Sequence, residues 1–183
     1  MREAVIVSTA RTPIGKAFRG AFNDTQAQEM AGHAIAEAVK RSKVSKEEID
    51  DVIIGAAGQQ GSQQGNIARQ SLLRAGLPVS VAGMSLDRQC ASGMMAIATA
   101  AKEITEDGMT ITVGGGVESV SLVRNENFRM DRARDPWLEE NIPALYMTMI
   151  ETAENVAKRY GISRESQDEY SLQSQMRTAK AQQ

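Results

Sequence analysis

Short continuous apolar runs alternate along most of the chain with longer segments in which apolar residues recur at helical spacing. Ala4-Val5-Ile6-Val7 has the pattern of a strand buried on both faces. A polar loop from Ser8 to Lys16 follows, broken by Pro13 and Gly15. It reads as structural, because Gly15-Lys16 lacks the spaced glycines of a phosphate-binding loop. Thr25 and Gln28 have the spacing of a capping box, ahead of a helix with the stripe Ala27, Met30, Ala31, Ala34, Ile35 and Ala38. Ser45 and Glu48 predict a second box for one or two turns, and Val52-Ile53-Ile54 a second strand closed by Gly55. A Gly- and Gln-rich loop, Ala56 to Gly65, leads to a helix capped by Asn66 that runs through Ala75, with Gly76 and Pro78 as its stop. Gly83 to Leu86 predicts a third strand and Met109 to Val113 a fourth. Strands alternating with helices argue for an α/β fold with a mostly parallel sheet.

Between the third and fourth strands lies the segment that carries the candidate chemistry. The polar turn Asp87-Arg88-Gln89 precedes Cys90, and then Met94, Ile97, Ala98, Ala101 and Ile104 mark a helix face. Cys90 therefore sits at a strand-to-helix turn, where backbone N–H groups and the helix dipole favour thiolate over thiol. The same N–H groups could hold a carbonyl oxygen that turns negative when a thioester is attacked. The segment from Gln89 to Ala101 carries no charge, which predicts a helix buried on most sides. The plainer reading of Cys90, a small core hydrophobe, stands beside the nucleophile. His33 lies off its helix's stripe and reads as a solvent-side residue, not a base.

Gly114-Gly115-Gly116 closes the fourth strand in this reading. It fails as a dinucleotide fingerprint, and is better explained as backbone passing close to the Cys90 turn. From Val120 to Pro143 periodicity gives way to balanced charge that includes Arg124, Arg129, Arg132 and Arg134, a solvated surface or an arginine cluster facing phosphates. Helical spacing returns from Tyr146 to Tyr160, with Gly161 as a stop, and a last helix starts at Ser163. That helix has no stop signal at Gln183, so the sequence reads as one that continues.

Composition narrows the function classes. The 183 residues hold 21 basic and 23 acidic side chains for a net charge of −2, with no basic patch for nucleic acid and no apolar run of membrane-spanning length. One cysteine and one histidine fall short of a structural zinc site. Such cysteine usage suits a reducing compartment, and the expected location is cytoplasmic.

Four ordered segments carry a family resemblance. Asp87-Arg88-Gln89-Cys90-Ala91-Ser92-Gly93 resembles the acyl-cysteine motif of the thiolases. Ala10-Arg11-Thr12-Pro13-Ile14-Gly15-Lys16 and Gly115-Gly116-Val117-Glu118-Ser119-Val120-Ser121 agree with it in order. So does a fourth, Thr152-Ala153-Glu154-Asn155-Val156-Ala157 taken with Ile162-Ser163-Arg164-Glu165-Ser166-Gln167-Asp168. The resemblance implies a layered αβαβα fold, of which residues 1–120 would be the N-terminal βαβαβαβ half and 121–183 the start of the inserted, CoA-binding loop domain. The C-terminal half would be absent.

It further implies a reversible Claisen exchange between acetyl-CoA and a 3-ketoacyl-CoA through an acyl group on Cys90. CoA would be a substrate, with no separate cofactor or metal. Thiolases are expected to activate the nucleophile with a histidine from a Gly-His-Pro segment and to move the substrate proton with a second cysteine, neither of which occurs here. A companion polypeptide carrying that half is therefore an expected partner, and a dimer or tetramer the expected assembly. Met149 matches a residue lining the acyl and pantetheine pocket, though it reads equally as a core methionine. Thr148 and Ile150 depart from the His-Met-Gly common in acetoacetyl-type members, and Asp87 stands where asparagine is common. Ketoacyl synthases and hydroxymethylglutaryl-CoA synthase share the nucleophile's placement, but the Gly-Gly-Val-Glu-Ser and Thr-Ala-Glu-Asn segments favour thiolase. An inactive thiolase-like interaction module is the alternative; a redox-sensing Cys90 would lack a resolving cysteine.

Overall fold

The computed structural model describes residues 2–183. It divides into two compact units, 1–128 and 129–183.

In the first unit three parallel strands form one sheet in the order β2-β1-β3: β1 (Asp51–Gly55), β2 (Ala82–Leu86) and β3 (Thr112–Gly116). Helices α1 (Ala27–Ser42), α2 (Ile67–Arg74) and α3 (Ser92–Thr105) cover it. The chain steps from β1 to β2 in one direction and then back past β1 to β3. Right-handed crossovers in opposite directions put α2 and α3 on opposite faces of the sheet. Alternation along β1 records this: Val52 and Ile54 join the core with Ile35, Val39, Ile67 and Leu72 of α1 and α2, while Ile53 packs with Ala96 and Ala100 of α3. Full burial of a side chain such as Ile53 or Leu72 stabilises the unit by roughly 1.5–3 kcal/mol.

Several boundaries follow the sequence. Asn66 accepts from the Arg69 N–H at 2.9 Å to cap α2, and Gly76, at φ +75°, follows its end. The Ser45 N–H donates to Glu48 at 3.2 Å, and His33 is exposed.

Four expectations are corrected. Ala4–Val7 forms no strand, so the sheet has three strands among the described residues. Its apolar side chains are exposed; the segment is tethered by Arg2 to the carbonyls of Gly108 and Met109 and by Ser8 to the carbonyl of Ala38. A doubly buried strand needs a hydrogen-bonded neighbour and two covering layers, and this run has neither. Thr25 and Gln28 make no capping box; α1 starts after Gln26 without a side-chain cap, and Gln28 donates to Gln70 instead. The last strand runs Thr112–Gly116, later than expected, because Asp50 accepts the N–H groups of Thr110 and Ile111 ahead of it and the glycines, read as a terminator, pair with Ile53–Gly55. The fourth correction concerns α3, whose covered face is Ser92, Ala96, Ala100 and Glu103; Met94 is 77% exposed and Ile97 47%. The helix is covered on one side only, because the sheet accepts small side chains and the larger apolar ones turn outward.

A short helix, α4 (Val120–Val123), ends the ordered core of the first unit. The second unit holds α5 (Pro136–Asn141), capped by Asp135, then α6 (Met149–Tyr160) and α7 (Arg164–Ala181). Thr148 and Glu151 form a capping box on α6, which ends at Gly161 in the left-handed region, and Ser163 caps α7 through the Ser166 N–H. No helix among the described residues is long and apolar enough to cross a membrane.

Candidate active site

The turn between β2 and α3 is held by its own polar groups. The Gln89 N–H donates to Asp87 Oδ1 at 2.6 Å, the Arg88 N–H to Ser92 Oγ at 2.8 Å, and the Ser92 hydroxyl to the Gln89 carbonyl at 2.6 Å. These bonds secure Gln89 at φ +48°, a left-handed conformation uncommon for a residue with a Cβ. The next residue, Cys90, is a free and exposed cysteine. Asp87, singled out by the sequence without a role, thus shapes the turn before the cysteine.

Cys90 stands two residues before the first helical residue, Ser92. The N–H groups of Ala91 and Ser92 point back into the turn, to the carbonyl oxygens of Arg88 and Gln89 at 3.1 and 3.0 Å. These two donors, part of the expected oxyanion cradle, are therefore engaged within the turn.

Below the turn, glycines let α3 settle onto the strand ends. A Cβ on Gly55 would overlap the carbonyl group of Ser92. On Gly116 it would stand 2.9 Å from the Gly93 Cα, and on Gly114 2.8 Å from the Ile97 Cα. Real Cβ atoms do not approach this closely, so glycine at the C-terminal ends of β1 and β3 fixes the seat of the helix. The close passage of the glycine run beside the Cys90 turn, expected from sequence, is found.

Glu118, just past β3, ties down the loop after β1. Its carboxylate accepts from Ala57 N–H at 2.9 Å, Gly58 N–H at 3.3 Å and Gln63 Nε2 at 2.8 Å. The fully buried Gln63 also donates to the Gly58 carbonyl and accepts from the Ser119 N–H. Gln63 gives no signal in the sequence beyond being a polar residue in a Gly- and Gln-rich loop, because its partners Glu118 and Ser119 lie more than fifty positions away.

Met149, in the second unit, is the first residue of α6 and is 75% exposed. No group of three or more His, Cys, Asp or Glu side chains among the described residues could hold a metal ion.

The turn thus presents an exposed thiol beside a floor of glycines. Comparison with known proteins gives the family. The family description "Thiolase, N-terminal domain" matches residues 4–183, and the chain belongs to the thiolase family. It is 40% identical over 183 residues to a 3-ketoacyl-CoA thiolase of Bacillus subtilis (strain 168), covering 99% of this chain and 46% of that protein. It is 40% identical to a 3-oxoadipyl-CoA/3-oxo-5,6-dehydrosuberyl-CoA thiolase of Escherichia coli (strain K12), covering 100% of the chain and 49% of the relative. An acetyl-CoA acetyltransferase of Cupriavidus necator is 38% identical, with 100% and 48% covered. The chain spans about half the length of the relatives it matches.

Proposed function

We propose that this chain is the N-terminal part of an acyl-CoA C-acyltransferase in which Cys90 is the acyl-carrying nucleophile. The observation that carries the reading is the exposed Cys90 thiol on the Asp87–Ser92 turn, in a chain of the thiolase family. In the degradative direction the Cys90 thiolate adds to the keto carbon of a 3-ketoacyl-CoA. The bond between that carbon and the α-carbon breaks, and the electron pair leaves on acetyl-CoA, which takes up a proton. The shortened acyl group stays on Sγ as a thioester until the sulfur of free CoA attacks it and Sγ is released. In the synthetic direction Cys90 takes acetyl from one acetyl-CoA, releasing CoA, and the α-carbon of another, having given up a proton, attacks that thioester and frees Sγ.

The chain's one histidine, His33, is exposed on α1, and its one cysteine is the nucleophile. The base that activates Cys90 and the acid that protonates the leaving carbon are assigned to a C-terminal half, which is also assigned to cover the open face of α3 at Met94 and Ile97. With Ala91 and Ser92 N–H groups engaged in the turn, oxyanion donors would come from other N–H groups around Cys90 and from that half. Residues 121–183 are read as the start of the loop domain that meets CoA, with Met149 lining the acyl and pantetheine path. The working protein is read as a homo-oligomer in a reducing compartment.

The test is denaturing mass spectrometry after brief exposure to acetyl-CoA, with the C-terminal half present. One acetyl group on the Cys90 peptide, lost in Cys90→Ser, is expected; no label in the complete protein would overturn the reading. The second reading, an inactive interaction module, is favoured by the engagement of the Ala91 and Ser92 N–H groups within the turn, which takes them from an oxyanion. It predicts that Cys90 alkylates no faster than an ordinary thiol.

A further inference from the structure

At the end of the sheet away from Cys90, two carboxyl side chains are buried together: Asp51, the first residue of β1, is 8% exposed, and Glu103, near the end of α3, is 7% exposed. Asp51 Oδ1 accepts one hydrogen bond, from the Val52 N–H at 2.6 Å. Glu103 Oε2 is buried without any donor. A buried carboxylate lacking a donor is costly, and a second acidic group nearby raises that cost.

The charges recorded as acting on the two groups are acidic, and among the described residues Arg2, at this end of the first unit, is turned to the carbonyls of Gly108 and Met109. From the β1 side Asp50 acts on Asp51, with its own Oδ2 taken by the N–H groups of Thr110 and Ile111; from the turn after α3 Asp107 acts on Glu103. Strands β2 and β3 carry no titratable side chain. On α2, packed against β1, Arg69 is turned to the carbonyls of Val79 and Val81, and Arg74 pairs with Glu29. Lys102 and Glu106, flanking Glu103, are exposed.

We propose that Asp51 and Glu103 form a proton-binding pair, whose uptake of a proton from solvent tightens the junction between β1 and α3 as pH falls. Burial, opposed at Asp51 by the Val52 hydrogen bond and followed at Glu103 by repulsion from Asp51 and Asp107, raises each group above its ordinary value. A carboxyl whose folded value is raised weakens the fold at neutral pH, and the penalty is relieved as pH falls through that value. β1 and α3 are also the elements whose other ends meet at Gly55 and Ser92 under the Cys90 turn. The device therefore acts on the scaffold of the site, and does not depend on whether acyl transfer occurs.

Thermal unfolding of the 183-residue chain across pH, with Glu103→Gln and Asp51→Asn, tests it. Glu103→Gln is expected to melt about 3 °C higher than the parent at pH near 7.5, with the gap closing as pH falls toward 4.5, the ordinary value for glutamate. A gap of constant size, or a lower melting point at neutral pH, would overturn the proposal. Carboxyl-carbon NMR of the parent gives a second reading that needs no folded variant. At least one of the two side chains should titrate above the ordinary range, and titration of both within it would count equally against the pair.

Discussion

Gly116 faces Gly93 across the floor of the Cys90 turn with no room for a side chain, since a Cβ on Gly116 would stand 2.9 Å from the Gly93 Cα. Gly116→Ala should therefore destabilise the first unit by about 1–3 kcal/mol, as overpacking does elsewhere. Gly115→Ala is the internal control, because a Cβ there meets only Ile54 Cδ1 at 3.7 Å, an ordinary contact. Urea midpoints should fall for the first variant and hold or rise slightly for the second. Equal losses would mean that the floor does not depend on glycine at Gly116.

Asp87 and Ser92 hold Gln89 in its left-handed turn through one side-chain oxygen each. Asp87→Ala should slow alkylation of Cys90 by iodoacetamide several-fold at neutral pH, whereas Asp87→Asn, which keeps an acceptor in the same place, should restore the parent rate. The chain has one cysteine, so intact mass reads the reaction directly. An unchanged rate in Asp87→Ala would remove Asp87 from the positioning of the nucleophile.

Glu118→Ala should free the loop from Ala56 to Gly65, because it removes the acceptor for two backbone N–H groups and Gln63 Nε2. The expected cost is about 1–3 kcal/mol, accompanied by faster protease cleavage within the loop. Cleavage at the parent rate would show that Gln63 holds the loop alone.

Thr148 and Glu151 form the cap of α6, and hydrogen bonds from the Thr148 backbone and then its side chain hold Glu151 below the usual glutamate range. A carboxylate lowered in the folded state adds stability above its unfolded value and loses it as pH falls through the folded one. Helicity at the start of α6 should therefore decline on acidification below about 4.5, and Glu151→Ala should abolish that dependence. Amide exchange across residues 148–152 measures it; an equally pH-dependent Glu151→Ala would assign the effect elsewhere.

Much of this architecture was legible because local chemistry and tertiary role coincided. Asn66 caps α2, Gly161 ends α6, and the turn before Cys90 has its polar residues where the backbone needs acceptors. The misreadings came where a pattern states what a segment could bury but not whether anything covers it. Val5-Ile6-Val7 has the composition of an interior strand yet no hydrogen-bonded neighbour. Met94 and Ile97 have the spacing of a buried stripe, while the covered face uses Ala96 and Ala100, because Gly114 lies under the helix. The latch of Glu118 on Gln63 joins residues 55 positions apart, and no local spacing reveals such a pair.

The outward turn of Met94, four residues after Cys90, places an oxidisable thioether on the open side of α3. Mild peroxide should convert it to the sulfoxide readily, replacing an apolar contact with a polar one. Any surface that settles on α3 would shield that sulfur. The yield of sulfoxide at Met94, compared with the exposed Met176 of α7 in the same sample, thus becomes an internal gauge of occupancy, readable from one peptide digest.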